Sequence, residues 1–231
     1  MEIRVNSGEI AFNQVMVLPN KGKREILGEL KAYKYVKRTI DVVLASIALI
    51  ILSPLFLVIS ILIKLESKGP VFFAHTRIGK NGKKIKLLKF RTMVPNAEEL
   101  IKSFTPEQMK EFKENFKLEN DPRVTKIGKI LRKTSIDELP QLINIIRGDL
   151  SIIGPRPVIG EELEKYNNNK DKFLSVTPGL TGFWAANGRS NTSYDQRMVM
   201  ELYYVDNISL KLDLKIFFKT IVSVLKKEGA R

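Results

Sequence analysis

Two adjacent acids, Asp137 and Glu138, lie in the run TSIDELPQLIN, directly after the basic pair Arg132 and Lys133 and just ahead of Pro140. An ionised carboxylate can attack phosphorus, and a neighbouring carboxylate can hold a hard cation such as Mg²⁺, which takes carboxylate and phosphate oxygens. If Asp137 opens a helix, Glu138 is its first position and Pro140 falls inside the first turn, where a missing N–H goes unnoticed. The free N–H groups and partial positive charge of that helix end would bind a phosphate and keep an acid ionised near pH 7. Consecutive helical residues point about 100° apart, so the two carboxylates would not bond each other and are free to take different tasks. The plainer alternative is an ordinary helix start, because Asp is a favoured N-cap with no chemistry attached. On these residues alone both readings stand. Arg132 and Lys133, with Arg91, Arg156 and Arg189 from the loops, supply the positive charge that a diphosphate needs.

Composition narrows the chemistry further. The chain carries 39 Lys and Arg against 25 Asp and Glu, a net charge of +14 over 231 residues, which points to nucleic acid, anionic lipid head groups or phosphorylated substrates. With no cysteine and one histidine, His75, it has no disulfide framework, no thiolate zinc site and no His-rich metal centre. Catalysis falls to carboxylates, Lys, Arg, Tyr or a hard metal ion. The length suits one sizeable core rather than two large domains. The opening MEIRVNSGEIAFNQV lacks the pattern of a signal peptide, so the chain is expected to stay on the cytoplasmic side.

The elements that position the acids begin with an apolar run, Ile40 to Ile63, whose only charge is Asp41 at its edge. A bilayer core of roughly 30 Å is crossed by about 20 such residues. Ser53-Pro54 interrupts the run near its centre, where a proline removes a donor and clashes with the carbonyl of Ile50. Each arm rises only about 15 to 18 Å. Basic residues flank both sides: Lys31, Lys34, Lys37 and Arg38 before, and Lys64, Lys68, Arg77, Lys86, Lys89 and Arg91 after. A straight span would carry one flank across the membrane against the positive-inside rule, so the sequence predicts a re-entrant helix-break-helix entering and leaving on one face.

The expected fold is α+β and mostly helical, with three parts: an N-terminal extension over 1–34, the membrane hairpin over 35–64, and a cytosolic membrane-associated catalytic domain over 65–231. In the last part, VFFAHTRI and KIKLLKFRT read as strands joined by the Asn-Gly turn of GKNGK. Ala97 to Asn120 reads as one polar helix whose Phe104, Met109, Phe112 and Phe116 face either a core or lipid. Thr125 to Lys133 is a short basic amphipathic piece, and the helix begun at the acids ends near Gly148. SIIGPRPVIG and TPGLTGFWAANGRS read as loops, the first held rigid by prolines flanking Arg156. Ser209 to Lys227 reads as an interfacial helix with snorkelling lysines.

Six ordered stretches carry a resemblance: KRTIDVVLASIALIILSP, GPVFFAHTRIGKNGK, KFRTM, DPRVTKIGKILRKTSIDELPQLINIIRGDLSIIGPRP, PGLTGFWAANGR and YYVDNISLKLDLKIFFKTI. From about Tyr35 to the C-terminus the sequence resembles the bacterial monotopic phosphoglycosyl transferases, also called bacterial sugar transferases, which initiate exopolysaccharide, capsule or glycoconjugate assembly. The resemblance implies a re-entrant helix broken at Ser53-Pro54 and a cytosolic α+β domain on the inner membrane of a bacterial cell. It makes Asp137 the nucleophile, forming a covalent phosphosugar intermediate and expelling UMP from a UDP-sugar; undecaprenyl phosphate then attacks. Glu138 helps bind Mg²⁺, and Arg132 and Arg156 become phosphate and nucleotide contacts, with Lys89, Arg91 and Arg189 as further substrate-binding candidates. The chain departs from the family at His75, where Gln is common, and at Ala185 after Trp184, where Gln is common; both bear on donor recognition rather than on the acids. A non-enzymatic basic membrane adaptor is the rival from another class. Nucleic-acid binding is disfavoured, because the basic residues cluster beside a membrane-length run with few aromatics for stacking.

Overall fold

A computed structural model of the chain describes residues 23–115, 118, 121–188 and 192–225. Most of the expected extension, Phe116, the end of the C-terminal helix and Arg189 lie outside the described residues. The protein is mostly helical with a small β-hairpin, and it divides into two compact units. Among the described residues, one unit comprises 23–50, 75–87 and 141–225; the other comprises 51–74 and 88–140.

Both units draw on helix α1, Lys23–Glu66, which contains Pro54. The secondary structure is helical through Ser53 and Pro54. Among the described residues this is the one helix long and apolar enough to cross a membrane. Its Val43, Leu44, Ile47, Ile50, Ile51, Leu57, Val58 and Ile61 are exposed, an apolar surface far beyond what water normally faces.

Strands β1, Phe72–Ile78, and β2, Lys84–Phe90, form the hairpin. Asn81 and Gly82 both take positive φ, at 55° and 76°, the condition that Asn-Gly meets at least cost in a tight hairpin turn.

In the unit that holds the acids, Ile59 and Ile63 of α1 pack with Phe90 and Leu131, and Phe56, Val71, Ile127 and Ile136 close the cluster. The expected single helix over 97–120 is instead two, α2 (Ala97–Leu100) and α3 (Pro106–Asn115). Thr105 and Gln108 exchange capping hydrogen bonds of 3.2 and 3.0 Å, with Pro106 at the first helical position, so TPEQ restarts the helix. Phe104 and Phe112 meet edge-on and both receive the Arg123 guanidinium, at 5.2 and 4.9 Å, so these two half-buried rings pack against the protein. Arg123 in turn clamps the buried Asp121 with bonds of 2.8 and 2.7 Å. Helix α4, Lys126–Thr134, starts where Thr125 Oγ1 accepts from the Gly128 N–H at 2.9 Å and the Glu66 carboxylate accepts from Lys126 and Ile127. Each such cap is worth about 1 kcal/mol.

The other unit contains α5 (Gln141–Arg147), β3 (Ser151–Ile153), α6 (Gly160–Glu164), α7 (Lys170–Leu174), β4 (Gly179–Thr181), α8 (Phe183–Asn187), α9 (Tyr194–Asp206) and α10 (Leu210–Leu225). Both stretches expected to be pure loop contribute a strand, β3 and β4, which pair in parallel with Ser151 opposite Gly179 and Ile153 opposite Thr181. A Cβ on Gly179 would lie 2.1 Å from the Gly154 backbone nitrogen, so only glycine lets the two chains approach. Ile153, Ala186, Tyr204 and Ile216 form one core cluster, and Val158, Tyr166 and Phe173 another. The first half of α1 is fastened here by polar side chains. Arg38 donates to the Ile145 and Ile146 carbonyls at the end of α5 at 2.5 and 2.7 Å, and Asp41 accepts from the Ile152 N–H at 3.0 Å. Asp213 collects Tyr33 (2.8 Å), Lys37 (2.9 Å) and Tyr204 (2.7 Å). The lone acid of the apolar run thus has a backbone partner, as a carboxylate withdrawn from water must.

Candidate active site

Helix α4 ends at Ser135, whose φ of 57° is a left-handed conformation that turns the chain into a 3₁₀ turn, Ile136–Glu138. The acids therefore sit on this turn and not at the start of α5. Pro140 explains the difference. It has no N–H to close a four-residue turn onto Ile136, so three-residue bonds carry the backbone through Glu138 N–H to Ser135 (3.3 Å) and Leu139 N–H to Ile136 (3.1 Å). The α-helical pattern resumes only at Gln141.

The Asp137 residue is 8% exposed, while Glu138 is half-buried. Lys89, from the root of β2, reaches both: its Nζ donates to Glu138 Oε1 at 2.5 Å and stands 4.0 Å from Asp137 Oδ2. Arg132, on the last turn of α4, donates through Nε to Thr92 Oγ1 at 2.9 Å, and its charge acts on Asp137. Burial pushes the Asp137 carboxyl above the usual range and Glu138 adds to the rise, while Lys89, Arg132 and the turn's own N–H pull it back. That outcome differs from the sequence expectation, in which a helix end would keep the acid fully ionised: the turn supplies little dipole, so desolvation dominates.

Of the predicted site residues, the structure brings Lys89, Arg132, Asp137 and Glu138 together. Arg91 is buried at the end of α1, donating to the Ser67 and Lys68 carbonyls at 2.7 and 3.0 Å and to Ser67 Oγ at 2.9 Å, where it caps the helix. Arg156 belongs to the other unit: it is exposed between the buried Pro155 and Pro157, with its guanidinium 5.8 Å from the Trp184 ring. Arg189 lies outside the described residues, and Ser53 and Pro54 lie within α1. His75 is half-buried on β1, its Nδ1 3.4 Å from Arg77 Nη2.

Sequence reading overlooked the charges behind Arg156. Glu201 and Arg197 of α9 and Glu162 of α6 are buried or half-buried there, and Glu162 is shared by Arg197 at 3.2 Å and Arg77 at 3.5 Å. Their only signal was the i, i+4 spacing of Arg197 and Glu201, which is commonplace on solvated helices.

No group of three or more His, Asp or Glu side chains among the described residues forms a metal cage. The dyad nonetheless fits Mg²⁺, which is characteristically held by one or two carboxylates plus substrate phosphates. The Lys89 ammonium seated against both carboxylates marks a place that favours a cation. Asp137 and Glu138 are the side chains that would hold it.

The profile of the bacterial sugar transferases matches residues 32–227. The exopolysaccharide production protein ExoY of Rhizobium meliloti (strain 1021) is 49% identical over 197 residues, covering 84% of this chain and 87% of that protein. The undecaprenyl-phosphate galactose phosphotransferase of Salmonella typhimurium (strain LT2) is 41% identical over 203 residues, which is 87% of this chain but 42% of the longer relative. A UDP-N-acetylgalactosamine-undecaprenyl-phosphate N-acetylgalactosaminephosphotransferase of Aeromonas hydrophila is 39% identical over 206 residues, covering 86% of this chain and 46% of that protein.

Proposed function

The chain belongs to the bacterial sugar transferase family, and from that footing we propose that it moves a sugar 1-phosphate from a UDP-sugar to undecaprenyl phosphate, in the first membrane step of exopolysaccharide, capsule or glycoconjugate assembly. The observation that carries the reading is Asp137, a carboxylate withdrawn from water beside Lys89 and Arg132. An Asp Oδ attacks the sugar-bearing phosphorus, a P–O bond forms to the carboxylate, and the bond to UMP breaks with its electron pair leaving on UMP. A phosphate oxygen of undecaprenyl phosphate then attacks the same phosphorus and releases the carboxylate. One difficult displacement becomes two easier ones. Lys89 and Arg132 stabilise the charge that builds on the phosphoryl oxygens, and the buried turn keeps water from competing. Glu138, with Asp137, would hold Mg²⁺, which neutralises diphosphate charge when bound.

The membrane arrangement belongs to the same proposal. The apolar run of α1 enters the bilayer from the cytoplasmic side and returns to it, with Ser53-Pro54 at the deepest point. The exposed Leu214, Phe218, Ile221 and Val222 of α10 rest in the head-group layer. Ile59 and Ile63 of α1 share a core cluster with Ile136 of the turn that carries the acids, which keeps those acids near the end of the membrane helix.

Purified protein given UDP-sugars without acceptor should release about one equivalent of UMP and gain the mass of one sugar phosphate, and Asp137→Asn should do neither. Full UMP release by Asp137→Asn would remove the nucleophile. Because the chain has no cysteine, Lys34→Cys and Lys68→Cys report topology cleanly. Both should react with an impermeant thiol reagent from the cytoplasmic side of sealed vesicles, whereas labelling from opposite sides would establish a straight span.

A further inference from the structure

Two aspartates of one unit, Asp121 and Asp137, are equally withdrawn from water, each 8% exposed, and each lies near an arginine. They meet it differently. Arg123 closes on Asp121 as a fork: Nε donates to Oδ1 at 2.8 Å and Nη2 to Oδ2 at 2.7 Å. Burial would raise the Asp121 carboxyl, but the bonds and charge of Arg123 bring it below the usual carboxylate range. At Asp137 burial prevails and the carboxyl ends above that range. Among the described residues its one ion pair is the 4.0 Å approach of Lys89, so Arg132 acts on it from farther away.

Each cation beside Asp137 has an acceptor of its own. Lys89 Nζ donates to Glu138 Oε1 at 2.5 Å, and Arg132 Nε donates to Thr92 Oγ1 at 2.9 Å. The Arg123 fork uses Nε, and in Arg132 that atom is already taken. Thr92 is 7% exposed and its main chain is pinned. The Arg91 N–H before it donates to the Val71 carbonyl at 2.8 Å, the Thr125 N–H donates to the Thr92 carbonyl at 3.0 Å, and the Val94 N–H donates to the Arg123 carbonyl at 2.9 Å. Helix α4 lies directly on this segment at Gly128, where a Cβ would come 2.1 Å from the Thr92 carbonyl oxygen. Gly128 and Arg132 are one turn apart on the same face of α4, so the contact that seats Gly128 against Thr92 also brings Nε to the hydroxyl.

We propose that Thr92 is a positioning residue that holds the Arg132 guanidinium off Asp137, keeping the nucleophile's oxygens uncovered and the arginine's outer nitrogens available to the phosphoryl oxygens of the substrate. The inference rests on the transferase reading above. A carboxylate clasped by a fork of two N–H bonds has both oxygens engaged and its electron density drawn off, so it attacks phosphorus poorly. A hydroxyl accepts the Nε–H without competing for the phosphate, since it brings no charge to the site. The groups that set the Asp137 charge are Lys89 from β2, Glu138 from the turn and Arg132 from α4, while Asp121 and Arg123 act on Arg132 in turn. Arg132 released from Thr92 closes on Asp137 and pulls its carboxyl down as Arg123 does at Asp121. The rate, which needs the carboxylate, then persists to lower pH but at a lower plateau.

The test is single-turnover UMP release by the full chain in detergent, measured against pH with a UDP-sugar. Thr92→Val keeps the shape of the side chain and removes the acceptor. It should move the acid limb about one unit to lower pH and reduce the plateau rate roughly tenfold, with the amount of UMP released per enzyme unchanged. Thr92→Ser should return the limb to its place and restore most of the rate. In an Arg132→Met background Thr92→Val should add nothing further. If Thr92→Val does not fold, Thr92→Cys decides alone, because its sulfur fits the same space and accepts only weakly. A limb that stays in place or moves to higher pH overturns the inference, as does a smaller amount of UMP per enzyme with the limb unmoved, which is a purely structural effect. Absence of UMP release by the wild type from every UDP-sugar defeats the transferase reading and this inference with it, whereas an active wild type whose acid limb ignores Thr92 defeats only this one.

Discussion

Asp137, 8% exposed, shares its surroundings with two cations and a second acid, whereas Glu201, 1% exposed, has a single backbone N–H for a partner and one oxygen with none. Burial raises both carboxyls; at Asp137 the Lys89 ammonium, 4.0 Å away, leads the opposition to the rise, whereas at Glu201 the Arg156 N–H and the Arg197 and Arg156 charges oppose it. The difference separates two uses of a buried acid. On the proposed mechanism Asp137 is a group that must attack, which has to ionise readily and yet stay poorly solvated, and cations beside it serve both needs. Glu201 keeps its desolvation cost and acts on the Arg197 and Arg156 side chains through charge.

Lys89→Met breaks this contrast by making Asp137 resemble Glu201, and it carries the largest expected effect. On the proposed mechanism Asp137 acts as a carboxylate, and its folded-state value is already raised, so the rate should fall as pH drops through that value. Removing Lys89 removes the largest influence opposing the rise, so the acid limb of the pH–rate profile moves to higher pH. At pH 7 the variant should lose roughly 10²-fold in kcat, since Glu138 loses its ion partner as well. Single-turnover UMP release measured against pH checks this. A profile that keeps its acid limb in place would show that Arg132 alone sustains Asp137.

The contrast also separates what could be read in the sequence from what could not. The Asn81-Gly82 turn was legible because positive φ at two successive residues is a local demand that Asn-Gly meets, and helices α4 and α10 were legible because their period is local too. The acids were identified by type and order, but not their backbone: the missing N–H of Pro140 holds the chain in three-residue turns, a detail decided by one hydrogen bond. Strands β3 and β4, of three residues each, are too short to leave a period and exist because each pairs with the other. Glu201 was invisible for a related reason. Its partner lies 45 positions away, and the Tyr33–Asp213 bond spans 180. Arg91 was read as a substrate contact from its charge alone, while the guanidinium is engaged by the Ser67 and Lys68 carbonyls just after α1.

Glu201→Gln sharpens the same contrast from the other side, with a smaller effect that is read in stability. The folded state raises Glu201 from its ordinary value of 4.5 to about 7, so the native protein binds the proton more tightly than the unfolded chain. The sign follows directly. The stability tied to this proton is fully present below the ordinary carboxylate range and is lost as pH rises through about 7, because above that value the native state carries a buried charge that the unfolded chain solvates. Glutamine keeps an oxygen for the Arg156 N–H and never ionises. The variant should therefore lie closest to the wild type near pH 5 and exceed it most near pH 8, by at most roughly 3 kcal/mol and by less if Arg197 relaxes toward the carboxylate. Denaturant midpoints of the detergent-solubilised protein at the two pH values measure the gap. A wild type that gains on the variant as pH rises would mean that Glu201 is held as an ion pair with Arg197, and that its carboxylate, like that of Asp137, is matched by a cation in the native state.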